Sequence, residues 1–223
     1  MKNRFLLLFT FLMLFACKDD ENEEFDIDYG YDYAPIAIGQ SSIFQIDSII
    51  YDDFNSSSDT ISFQQKEEVV SSFLDDAGAE AYRIELSQRT NDSIDWKLIR
   101  VFSSRKNKTR YVRTDNNIAT VLLVFPPEKG KEWDGNLLNT KDELEFSYTS
   151  VNQAETINQQ NYPSIVTVLQ EDEFNRIQQF FTEEKYARGV GLIYRKDKQL
   201  ETELNGDIRS GYDATTRLIE FTP

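Results

Sequence analysis

Histidine is absent from this 223-residue chain, and cysteine occurs once. The first absence removes several chemistries at once: a histidine general base, a Ser-His-Asp triad, a Cys-His pair and every His-ligated zinc site. The second removes any disulfide within the chain. Positive charge is also scarce, with 24 Lys and Arg against 39 Asp and Glu and a net charge of −15. Nucleic acid and purely electrostatic docking to anionic lipid both need basic patches. The densest basic run, SSRKNKTRYVR at 103–113, interleaves polar residues and is expected to be a solvated hairpin. No nucleic-acid partner is therefore expected.

What is present is apolar and aromatic. Hydrophobic residues make up 39% of the chain and aromatics 13%, enough for one folded core, and the length suits one domain of ordinary size.

The single cysteine stands at a sharp boundary. Lys2 and Arg4 precede a run from Phe5 to Ala16 that is apolar almost throughout. In a helix that run spans about 18 Å, well short of the roughly 30 Å of bilayer hydrocarbon, so residues 1–16 are predicted to be a signal peptide. Leu14-Phe15-Ala16-Cys17 resembles the lipobox of bacterial lipoproteins. The resemblance implies that Cys17 is thioether-linked to diacylglycerol and becomes the mature N-terminus, with further acylation by a chain such as palmitate. Two or three acyl chains hold a protein stably, at about 0.8 kcal/mol per buried methylene. The fold then needs no membrane-binding surface of its own.

Acid follows the cysteine. Residues 18–33 carry eight acids against Lys18, so residues 17–33 are expected to form a self-repelling tether. The Cys17-Lys18-Asp19-Asp20 start resembles the surface-export signal of Bacteroidota lipoproteins, which implies display on the outside of the outer membrane; the periplasmic face is the alternative. Asp26, Asp28 and Asp32 alternate around Gly30, but an EF-hand-like loop wants glycine sixth and an acid twelfth. Counted from Asp26 those positions hold Tyr31 and Ala37. No metal site and no cofactor are expected.

Residues 34–223 read as a single antiparallel β domain. SIFQIDSIIYDDF (42–54), ISFQQKEEVVSSFL (61–74), AYRIELSQRT (81–90) and IDWKLIRVFSS (94–104) are strand-length segments bounded by Asp, Asn and Gly. In AYRIELSQ, Tyr82, Ile84 and Leu86 share one face, the pattern of a strand buried on one side. TRYVRT turns at Asp115-Asn116-Asn117 into IATVLLVF, closed by Pro126-Pro127. EKGKEWDGN (128–136) is expected to be a loop, as is the polar NQAETINQQNYP between strands at 144–151 and 164–170. Residues 171–188 admit a helix or a strand, and Phe180, Phe181 and Tyr186 favour a strand running on into 187–194. The last strand is placed at 215–221. About eight to ten hairpin-linked strands are expected to curl into an open barrel or a sandwich, which removes or protects edges.

DSIIYDDF, EAYRIEL, IDWKLIRV, LVFPPEKGKEWDGN and KYARGVGLIYRK together resemble a group of Bacteroidota outer-membrane lipoproteins. The resemblance covers most of the body, implies an antiparallel β protein and brings no activity with it.

Carboxylates are the catalytic resource that remains. Glycoside hydrolysis needs two, about 5 to 9.5 Å apart depending on stereochemistry. Asp52-Asp53, Glu67-Glu68, Asp142-Glu143 and Asp172-Glu173 are doublets, yet adjacent residues on a strand point to opposite faces and make poor pairs. Trp96, in an alternating segment, is expected in the core. Trp133, flanked by glycines, is either a core plug or a stacking platform for a ligand. Gly189-Val190-Gly191 lacks the helix that a phosphate loop requires and is expected to be a bulge or close strand crossing. These features favour a lipid-anchored, non-catalytic binding or assembly module with a glycan or protein partner. A carboxylate-dependent glycoside hydrolase and a carrier of lipid or another apolar ligand are the alternatives.

Overall fold

Short turns set the strand order. The computed structural model describes residues 28–55 and 57–223; the segment predicted to be a signal peptide, Cys17 and residues 18–27 lie outside the described residues. Twelve strands follow one another: β1 (Ser41–Asp52), β2 (Ser57–Leu74), β3 (Glu80–Arg89), β4 (Lys97–Lys106), β5 (Arg110–Asp115), β6 (Ile118–Val124), β7 (Glu132–Asp134), β8 (Glu145–Ile157), β9 (Gln160–Phe174), β10 (Gln178–Ala187), β11 (Gly191–Thr202) and β12 (Ile208–Thr222). They form one antiparallel sheet in the order β6-β5-β4-β3-β2-β1-β12-β11-β10-β9-β8-β7. The first and last strands meet at its centre, with Ser41 opposite Thr222, so two meanders run outward from that pair. The all-β expectation holds, with more strands than the eight to ten expected.

The differences have local causes. NQAETINQQNYP is not a loop: β8 and β9 run through it, and only Asn158 and Gln159, at φ 50° and 65°, form the turn. Its polar side chains lie on strands with one solvated face, which hides the alternation. Asn116 and Asn117, at φ 49° and 64°, make the corresponding two-residue turn between β5 and β6, as DNN suggested. Residues 171–188 are strand on both sides of a turn at 175–177. The strand does not run on past Ala187, because Arg188-Gly189-Val190 turns it back into β11. EKGKEWDGN contains β7, three residues paired to β8 through Trp133 opposite Phe146. Trp96 is not core. It lies in the β3–β4 connection, half-buried, with the Arg89 guanidinium 4.2 Å from its ring centroid.

The sheet curls until its ends touch, and side chains make the seam. Val121 N donates to Gly135 O at 2.9 Å, and the Trp133 indole N–H donates to Val121 O at 2.9 Å. Tyr148 Oη accepts from Val124 N at 3.1 Å and donates to Val124 O at 2.8 Å. The result is a nearly closed barrel. Behind the seam Leu123, Phe125, Phe146, Tyr148, Val166, Val168 and Tyr186 form one buried cluster, each large side chain contributing about 2 kcal/mol by leaving water. A second cluster around Phe44, Ile46, Ile165, Ile193 and Leu218 continues it under the central pair.

The outer wall of the central strands is charged. Lys196 pairs with Asp213, Arg217 with Asp47 at 2.9 Å and Lys185 with Glu155 at 2.6 Å. Barrels that span membranes present an apolar outer band there instead.

One end of the barrel is covered by residues 28–40. The tether expectation placed these residues partly outside the domain, but the chain is docked from Asp28 onward. A 3-10 turn at Tyr31–Tyr33 inserts Tyr33, which is fully buried and hydrogen-bonds Asn152 at 2.6 Å and Ser164 at 2.7 Å. Gly30 sits at φ 70°, and a Cβ there would lie 2.8 Å from the Pro127 ring. Lys106 donates to the carbonyls of Tyr31 and Ala34 at 3.0 and 2.7 Å. Arg188 completes the clasp: its guanidinium lies 4.5 Å from the Tyr33 ring centroid and pairs with Asp28 and Asp32. Eight acids between residues 18 and 33 made the segment look solvated; two of them, Asp28 and Asp32, instead face one arginine.

The clasp is expected to loosen in acid. The hydrogen bond from Arg188, then the Gly30 N–H, holds the Asp28 pKa below its ordinary 3.8. A depressed folded pKa gives stability that is present above the unfolded value and lost as pH falls through the folded one. Protection of the amides of residues 28–40, relative to their intrinsic exchange rates, is therefore expected to be high at pH 5 and to fall below pH 3.8 before that of the strands; equal protection at both would contradict it.

Candidate functional site

Strand alternation brings a charged cluster into the barrel. On β10, Thr182, Glu184 and Tyr186 face inward and are buried. Glu184 accepts hydrogen bonds from Gln170 on β9 at 2.7 Å and from the Tyr186 hydroxyl at 2.5 Å. Arg195 on β11 lies 3.5 Å from Glu184 and pairs with Asp197 at 2.8 Å. Across the lumen Arg113 on β5 holds both oxygens of Glu67 on β2, at 3.2 and 3.0 Å, and stacks 4.3 Å from the Phe102 ring.

The electrostatics follow from this packing. Burial works to lower the Arg113 pKa, but the charge of Glu67, with Tyr111, Tyr186 and Glu184, outweighs it and keeps the group firmly cationic. For Arg195 burial is likewise outweighed, here by Glu184 and Asp197. Burial, then the charge and hydrogen bond of Glu184, push the Tyr186 phenol well above its ordinary value, so it keeps its proton and donates it to Glu184. Protein surrounds both guanidiniums, yet 26% of the Arg113 and 39% of the Arg195 side chain stays open, because each faces a cavity.

That cavity, of about 370 Å³, lies where the seam is not sealed. Since β7 is only three residues long, the edges of β6 and β8 above it have no ladder between them. Ile118, Thr120 and Leu122 of β6 with Leu144 and Phe146 make an apolar wall, and Arg113, Asp115, Gln170, Glu184 and Arg195 the polar wall. Asn116, an exposed turn residue, stands at the mouth. Asp115 pairs with Arg100 at 2.8 Å. The size is within the usual range for a small-ligand pocket. One face suits apolar or C–H contact, and the other offers fixed donors and acceptors whose charges are compensated in pairs.

The sequence-level sites distribute differently. Trp133 forms the seam rather than the lining: its N–H is used by Val121, and its ring packs 6.0 Å from Phe146 and 4.7 Å from Tyr148, directly behind the apolar wall. The doublets split as strand geometry requires. Glu67 turns in to Arg113, while Glu68 turns out to Lys66 at 2.7 Å. Asp52-Asp53, Asp142-Glu143 and Asp172-Glu173 lie at or beside turns, and none of them lines the cavity described above. Arg113, Glu184 and Arg195 were not singled out from the sequence. The signal was there in QQFFTEEKYA, where Glu184 keeps the phase of Phe180 and Tyr186. No group of metal-ligating side chains occurs among the described residues.

No family model matches the chain, and no curated protein is similar to it. Among solved structures, the chain is similar to a "putative lipoprotein" from Parabacteroides distasonis ATCC 8503, with a TM-score of 0.40 and 9% identity over 85% of this chain and 98% of that one.

Proposed function

We propose that this protein is a lipid-anchored lipoprotein of the bacterial outer membrane, displayed at the cell surface, whose barrel is a non-catalytic binding module for a glycan held in the seam cavity. The observation that supports the reading best is the two-walled cavity. A sugar ring presents apolar C–H faces and a girdle of hydroxyls, and this cavity sets Phe146 and Leu144 opposite compensated Arg and carboxylate groups. A lipid carrier fits less well, since the polar wall would strand its charges against acyl chains. The lipobox residues around Cys17 support the anchor.

Asp115 and Glu184 both line the cavity, which favours the hydrolase as a second reading. Against it, each carboxylate is engaged by an arginine and Glu184 also accepts two further hydrogen bonds, which leaves neither as a free proton donor.

The test uses the full-length protein purified in detergent. Trp133, packed behind Phe146, reports on the cavity once the other tryptophan is removed by Trp96→Phe. Titration with a panel of soluble oligosaccharides is expected to give saturable Trp133 quenching with at least one, without product formation. Leu144→Phe, which narrows the cavity without adding a second indole, is expected to abolish it. Quenching that survives Leu144→Phe would remove the site, and hydrolysis would favour the enzyme. For the anchor, wild-type protein is expected to take up an alkyne palmitate analogue and Cys17→Ser to lose the label.

A further inference from the structure

The end of the barrel opposite residues 28–40 has an unusual set of turns. There the β1–β2, β3–β4, β7–β8, β9–β10 and β11–β12 connections meet, together with the β5–β6 turn. All but the last present a large apolar side chain to water: Phe54, 95% exposed, Ile94, Leu137, Phe174, 76% exposed, with Ile177, and Leu204, 77% exposed. Turn tips are normally Gly, Asn, Asp, Pro or Ser, because those residues suit the backbone there. Three turns at the other end follow that rule, with Asp75-Asp76-Ala77-Gly78, Asn107-Lys108 and Asn158-Gln159, although Leu74, 71% exposed, flanks the first of them. Scattered exposed apolar residues need no explanation, but one per turn around a single rim does nothing for the fold and forms a discontinuous apolar ring.

We infer that this rim docks a second protein, one that presents apolar sockets bordered by lysine or arginine. The charge between the tips selects that partner. Asp53, Asp92, Asp95, Asp142, Glu143, Glu203 and Asp207 outnumber Lys141 and Arg176 in these connections, and arginines of the adjoining strands pair with two of them, Arg209 with Asp53 and Arg89 with Asp92. A like-charged second copy is repelled, and so is an anionic lipid surface; a basic protein face is attracted. The seam cavity opens at the same rim, beside the β5–β6 turn, which carries no apolar tip. The inference does not depend on what that cavity binds.

The test replaces Phe54, Phe174 or Leu204 in the full-length protein, in its native cells, with photoreactive benzoylphenylalanine; positions 108 and 159 at the covered end are the controls. Irradiation is expected to give the same adduct from the three rim positions and not from the controls. Mass spectrometry of the linked peptide is expected to find Lys or Arg beside apolar residues. Adduct yield is expected to fall roughly tenfold when Ser replaces the other two tip residues, and to fall with added salt. Those serine variants are expected to keep the wild-type melting temperature, since the exposed tips support no packing. An adduct with a second copy of this chain, an adduct with lipid, equal yield from rim and control positions, or yield indifferent to the serine substitutions would each overturn the inference.

Discussion

Gly211→Ala is expected to destabilise the barrel by about 4 kcal/mol or to prevent folding, the sum of backbone strain and a steric clash. Gly211 lies at φ 115° in β12, between Leu200 of β11 and Tyr51 of β1. A Cβ there would stand 1.9 Å from the Gln199 carbonyl oxygen and 2.9 Å from its carbon. Those are backbone atoms, which cannot swing aside as the end of a side chain can, so β11 and β12 would have to part at the centre of the sheet. Gly206→Ala separates clash from strain: its φ of 93° is equally unusual, but nothing lies within 4 Å of the added carbon. It is expected to lose only about 1 kcal/mol. Urea unfolding followed by tryptophan emission measures both, and similar midpoints for the two variants would refute the close approach.

Glu184→Ala is expected to lower stability by about 3 kcal/mol, at the low end for breaking a buried ion pair because Arg195 can rehydrate from the cavity. The carboxylate is the common acceptor for Gln170, Tyr186 and Arg195. Its removal leaves Gln170 and Tyr186 without their acceptor and Arg195 with Asp197 alone, inside a wall made by adjacent strands. For a protein of this size the melting temperature is expected to fall by roughly 6 to 12 °C. Glu68→Ala, which removes an outer-face acid paired only with Lys66, is expected to change stability by under about 0.5 kcal/mol. A Glu184→Ala variant that melts with wild type would mean that the cluster holds nothing together.

Local chemistry carried much of the fold. Asn116-Asn117 announced a tight turn, the Tyr82, Ile84 and Leu86 phase announced a half-buried strand, and adjacent acids separated to opposite faces as the pleat demands. Where a strand's outward residues are polar and its inward ones are mixed, as in NQAETINQQNYP, period-two contrast vanishes and a strand looks like a loop. Trp96 misled for the opposite reason: its apolar surface is satisfied by stacking on Arg89 rather than by burial in the core. The acidic run before Ala34 looked like a free leash because sequence shows charge but not counter-charge, and Arg188 lies far along the chain.

The sequence by itself determined an antiparallel β chain without histidine chemistry or internal disulfides, and placed its one thiol at the end of an apolar run. Side-chain type, turn preference and alternation act over a few residues, so they are legible without coordinates. Only the tertiary structure decided that β1 and β12 meet at the centre, that a three-residue β7 leaves a gap in the seam, and that Glu67, Arg113, Glu184 and Arg195 face one another across the lumen. Those outcomes depend on how far the sheet curls before its ends touch, a sum of small twists over twelve strands.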